Sequence, residues 1–152
     1  MRTFILALSC FCFVLLMANE AKAHCEIPCG IYGDNTRFVI LEEHLTTIEK
    51  SMTKIIELSK KGGNKNQLVR WVQNKEQHAD EFGHIVTQYF LRQRIKPSKT
   101  PGKPDLTREK YLKQLVLLHE LYVYSMKAKQ TTELKHVRTM RSVLRRFKLL
   151  YH

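Results

Sequence analysis

The sequence predicts an all-α protein, an antiparallel four-helix bundle preceded by a short N-terminal hook. Four segments carry apolar residues at alternating three- and four-residue spacing, the period of one helix face. Strong breakers fall between those segments: Gly62-Gly63, the proline-rich stretch 96–104 and Thr131-Thr132. No comparably long period-two pattern competes, so strands are not expected. Mostly short connections make successive helices antiparallel neighbours.

The first helix has Asp34, Asn35 and Thr36 as cap candidates. Its apolar face is Phe38, Leu41, Leu45, Ile48, Met52 and Ile55, with Glu42, Glu43 and Lys50 opposite. "KKGGNKN" ends it, because glycine accepts the backbone conformation of a helix stop. The second is expected from Gln67 to about Arg94, with Leu68, Trp71, Val72, Ala79, Phe82, Val86, Tyr89 and Phe90 as its core. "KPSKTPGKP" then forms the longest connection. A third helix follows Asp105, with Tyr111, Leu115, Leu118, Tyr122 and Met126 facing inward. The fourth follows Thr131-Thr132, with Leu134, Val137, Met140, Leu144, Phe147 and Tyr151. At this spacing the apolar stripes read as packed core rather than as a cofactor cavity. The helices are expected to carry no metal box, neither His-Glu-x-x-His nor the paired Glu-x-x-His of di-iron bundles. His44, His84, His119, His136 and His152 therefore read as surface or core-edge residues.

The N-terminus reads as a secretory signal peptide, residues 1–23. Arg2 precedes an apolar run from Phe4 to Met17, and Ala21-Lys22-Ala23 supplies an Ala-x-Ala ending. The run is short for a membrane span, which needs roughly 20 residues. Cleavage after Ala23 leaves a hook of residues 24–33 and a bundle of residues 34–152. The mature chain, 129 residues long, suits one domain. Its formal charge falls only from +12 to +11, since Arg2, Lys22 and Glu20 leave with the leader. The expected location is exported: periplasm, extracellular space or an organelle lumen, without stable membrane insertion after cleavage. Positive charge draws small anions. Arg138, Arg141, Arg145, Arg146 and Lys148 crowd the last helix but read as a solvated face. With no nucleic-acid motif beside them, no nucleic-acid partner is expected.

The chemistry concentrates in "AKAHCEIPCGIYG", residues 21–33. After cleavage Cys25 and Cys29 are the only cysteines left, because Cys10 and Cys12 depart. Export favours a disulfide across this short loop. The same cleavage, however, puts a free α-amine on His24 beside the first thiol. Amine, imidazole and the Cys25 amide nitrogen then fall within one chelate reach, and thiolate with nitrogen donors selects late transition metals. The residues alone leave metal and disulfide both open.

His24-Cys25-Glu26-Ile27-Pro28-Cys29-Gly30-Ile31-Tyr32 resembles the N-terminal hook of nickel-dependent superoxide dismutases, whose motif is His-Cys-x-x-Pro-Cys-Gly-x-Tyr ahead of a four-helix bundle. "NKEQHADE", residues 74–81, looks like that family's Lys-Glu-Gln segment. The resemblance implies a nickel ion cycling between Ni2+ and Ni3+. It would be held by the amine and imidazole of His24, the amide nitrogen and sulfur of Cys25, and the sulfur of Cys29. The thiolates and deprotonated amide would donate enough electron density to stabilise the oxidised metal, and the imidazole would be its axial donor. Glu26, Pro28 and Gly30 would shape the turn, and Tyr32 would limit access to the open face. The implied reaction is disproportionation of superoxide to oxygen and hydrogen peroxide, and the implied assembly is a homohexamer.

Four positions depart from the family's better-known members. Ile40 falls where they have a glutamate, His78 falls on an arginine, and Glu26 replaces an aspartate. Tyr89 is out of register with their second active-site tyrosine by about a helical turn. His78 is accordingly a candidate second-layer residue behind the metal. Two other readings remain at this level: a secreted basic bundle protein with a Cys25–Cys29 disulfide, and a non-catalytic binder of transition metals.

Overall fold

The structure is a computed structural model that describes residues 33–60, 62, 64–97 and 106–152. Among the described residues there are four helical spans and no strand. Helix α1 is Asp34–Lys60, and α2 is Lys65–His84 running on into a π-helical segment, Ile85–Arg94. Helix α3 is Leu106–Gln130 and α4 is Leu134–Tyr151. Successive helices pack against each other and α4 closes back onto α1, the ring of an up-and-down bundle.

Local chemistry explains the boundaries. Gly62 takes φ +58° between α1 and α2, a left-handed conformation that costs glycine little. Asn64 caps α2, its side-chain oxygen accepting from the backbone N–H groups of Asn66 at 3.0 Å and Gln67 at 3.3 Å. Between α3 and α4 the Thr131 hydroxyl accepts from the Glu133 N–H at 3.2 Å. In the π segment carbonyls bond five residues ahead, as from Phe90 O to Ile95 N at 2.9 Å. Ile85, Val86, Tyr89, Phe90 and Ile95 are buried, and the step of five from Phe90 to Ile95 follows the π register.

The inward faces of α1 and α4 are those expected. Phe38, Leu41, Leu45, Ile48, Met52 and Ile55 are buried on α1, as are Val137, Met140, Leu144 and Phe147 on α4. Each such side chain contributes about 1.5–3 kcal/mol on removal from water. Two expectations are corrected. Leu68 and Trp71 are only partly buried and Val72 is exposed, the buried position on that turn of α2 going to Lys75. On α3 the inward face is Leu117, Leu118, Leu121, Ser125 and Ala128, while Tyr122 and Met126 are exposed. Apolar residues lie all round α3, so spacing alone does not select a face. The small side chains Ser125 and Ala128 admit α2 closely: a Cβ on Gly83 would meet Tyr122 Cε2 at 3.3 Å and Ser125 Oγ at 3.4 Å.

The end of the bundle where the chain enters is aromatic. Phe38 packs against Phe90 in a tilted pair with centroids 4.8 Å apart, and its ring centre lies 5.8 Å from that of Phe147 and 5.6 Å from that of Tyr151. These rings join the start of α1, the π segment and the end of α4 into one plug directly behind Asp34.

Candidate metal centre

The expected ligands His24, Cys25 and Cys29 lie outside the described residues, as do Glu26, Pro28, Gly30 and Tyr32. The described residues begin at Gly33, at the start of α1. The first residue of α1, Asp34, was a cap candidate, but its carboxylate is turned into the bundle. Asp34 Oδ1 accepts from the Tyr89 hydroxyl and pairs with Arg94 Nε at 2.9 Å, while Oδ2 accepts from the Tyr151 hydroxyl at 2.7 Å. Arg94 Nη2 also donates to the Tyr89 oxygen at 2.9 Å. Burial acts to raise the Asp34 pKa, but the two tyrosine hydroxyls and the Arg94 charge outweigh it and hold the carboxyl below its usual range. Burial and the adjacent carboxylate push Tyr151 well up, so it remains a protonated donor. Three elements are thus tied to the residue two positions after Tyr32. The π register delivers both Tyr89 and Arg94 to this point.

His78 is the one expected site residue that the structure describes. It stands on α2 facing His44 of α1, with the two Nδ1 atoms 2.8 Å apart. Glu81 Oε2 lies 3.6 Å from His44 Nδ1 and 3.7 Å from His78 Nδ1. Burial, together with the neighbouring His78, lowers the His44 pKa despite the opposing pull of Glu81 and Glu43. His44 is buried, in keeping with a core-edge residue, but the sequence reading missed its partnership with His78 and Glu81. The available signal was His78-x-x-Glu81, which puts both side chains on one helix face.

Glu-x-x-His spacings also occur at Glu81/His84 and Glu133/His136, contrary to the expectation that the helices lack them. They do not build a di-iron site in the described bundle. His84 is exposed and Glu81 turns to His44 and His78 instead, while Glu133 pairs with Lys135 and His136 is buried with its ring 6.0 Å from that of Tyr124.

The segment that resembled the Lys-Glu-Gln motif proves structural. Lys75, only 3% exposed, donates to the carbonyls of Ala128, at 2.9 Å, and Lys129 at the end of α3. Glu76 pairs with Lys75 at 2.8 Å and approaches Lys129, and Gln77 Nε2 donates to Glu81 Oε1 at 2.8 Å. A buried ammonium on the negative end of a helix locks α2 to α3.

A family profile for nickel-containing superoxide dismutase matches residues 19–152, spanning both the hook and the whole bundle. The chain belongs to that family. Searches among curated proteins and solved structures find no significant match. Membership makes the chain an oxidoreductase that acts on superoxide with nickel as its cofactor, on an all-α four-helix bundle. It sets aside the readings as a non-catalytic metal binder or a merely structural secreted bundle. In this dismutase, no described helix is long and apolar enough to cross a membrane.

Proposed function

We propose that residues 24–33 are the catalytic nickel hook of this dismutase. The observation that carries the proposal is the distribution of sulfur. Every cysteine of the chain stands at position 10, 12, 25 or 29, and the described bundle contains none. A nickel centre with one-electron chemistry calls for soft, strongly donating ligands. Cys10 and Cys12 belong to the apolar leader, so Cys25 and Cys29 are the thiolates that can serve. His24 would add amine and imidazole nitrogens and Cys25 its amide nitrogen, a donor set that fits nickel. When bound, nickel supplies the alternating one-electron oxidation and reduction by which two superoxide ions and two protons become oxygen and hydrogen peroxide.

The chain's own residues position and guard that centre. Pro28 restricts the backbone of the turn, and Gly30 permits a close approach of backbone to the ligands. Glu26 contributes to the shape of the loop, and Tyr32 restricts approach to the open face. Asp34, held by Tyr89, Tyr151 and Arg94, anchors the hook to the aromatic end of the bundle. Removal of residues 1–23 on export would create the His24 amine. A hexamer is the assembly favoured by family resemblance.

Cys25→Ser and Cys29→Ser, purified without chelators, test the hook. Each should abolish superoxide decay while leaving the helical circular dichroism nearly unchanged. The intact mass of the wild-type protein should start at His24. Activity retained in either variant would remove the two-thiolate site, and a fully active chain with residues preceding His24 would remove the amine ligand.

A further inference from the structure

We propose that His44, His78 and Glu81 form a second metal site, separate from the hook, that takes a divalent cation of the zinc class and staples α1 to α2. Their three ligand atoms make a triangle with sides of 2.8, 3.6 and 3.7 Å. A point equidistant from all three lies about 2.0 Å from each, which is the length of a zinc–imidazole or zinc–carboxylate bond. Two imidazoles and one carboxylate are a donor set suited to zinc and its neighbours, with coordination positions left for water.

The three side chains by themselves make one hydrogen bond, between the two imidazoles, with Glu81 at ion-pair distance. The two Nδ1 atoms can share only one proton, and the carboxylate oxygen is beyond hydrogen-bond distance of both. A cation at the centre would bond to all three atoms at once. The donors are also preoriented. Gln77 Nε2 holds the other Glu81 oxygen at 2.8 Å, turning Oε2 toward the histidines, and the His44 side chain is only 10% exposed. His44 lies ten residues into α1 from Asp34, about 15 Å along the axis, so the cluster is distinct from the anchor of the hook. His78 thereby gains a direct role as ligand, in place of support behind the hook.

The test uses the full chain with the hook silenced as His24→Ala/Cys25→Ser/Cys29→Ser, titrated with Zn²⁺ by calorimetry and with Co²⁺ by visible absorption. One equivalent should bind, with imidazole-type cobalt bands and a raised melting temperature. His78→Ala, at a position 27% exposed, and Glu81→Gln should each weaken binding by about 10-fold or more and remove the thermal shift, with helical content unchanged. The proposal fails if the silenced chain binds no zinc. It also fails if both further substitutions leave affinity and stoichiometry as they were. Because the hook is absent throughout, neither result depends on the nickel centre.

Discussion

Lys75 is a buried ammonium of α2 that caps the end of α3, donating to the Ala128 carbonyl at 2.9 Å. Its place in "NKEQ" supported the family resemblance, yet nothing in the spacing says that an ammonium is buried there while Trp71 is only partly buried and Val72 is exposed. The physical reason lies on another helix: the carbonyls of Ala128 and Lys129 at the end of α3 lack intrahelical donors, and Lys75 supplies them. Lys75→Met keeps the volume but strands these acceptors, so it should destabilise the bundle by about 2–3 kcal/mol. Urea unfolding monitored by circular dichroism measures this, and a midpoint equal to wild type would show that water replaces the ammonium without loss. The same limit hid His44. One helix in isolation shows His78-x-x-Glu81, but the third donor comes from α1 and becomes visible only once the two helices are packed.

At the scale of elements, legibility followed amphipathicity. Helices α1 and α4 have one apolar face each, and those faces are the buried ones. Helix α3 has apolar residues all round, so its inward face, Leu117, Leu118, Leu121, Ser125 and Ala128, emerges only from packing, with Ser125 and Tyr122 closest to Gly83 of α2. The π segment was readable as helix but not as π, because period analysis assumes an α register. That register brings Tyr89 and Arg94 to Asp34, and it has a consequence for acid stability. Asp34 has a folded pKa below its ordinary 3.8, so the network's contribution is fully present above pH 4 and is lost as pH falls through the folded value. Asp34→Asn should therefore lower the urea midpoint at pH 7, with the gap to wild type narrowing at pH 3 and below. A gap that is the same at pH 7 and at pH 2 would mean that the carboxylate charge does not hold the three elements together.

For the whole molecule, the formal charge of +12 matters because the substrate is a small anion. Several of the cations behind that balance are paired with acids inside the bundle. Arg141 of α4 pairs with Glu49 at 3.0 Å and Glu42 at 3.5 Å on α1, and Arg146 approaches Glu120 at 3.7 Å. Arg145 and Lys148 line a surface groove with Phe38, Glu42 and Glu43 near the aromatic end of the bundle. Lys148 Nζ lies 5.6 Å from the Phe38 ring centre, so its charge is held near this end. With Glu42 engaged by Arg141, these two cations would act on superoxide over a distance comparable to the screening length, about 10 Å at 0.1 M salt. The second-order rate constant for superoxide decay, measured by pulse radiolysis, should therefore fall as a neutral salt is raised from low to physiological ionic strength. Arg145→Ala/Lys148→Ala should start from a lower rate and show a shallower slope, with the same nickel content as wild type. A rate that is indifferent to salt in wild type, or a double variant with an unchanged slope, would show that these two cations do not guide the substrate.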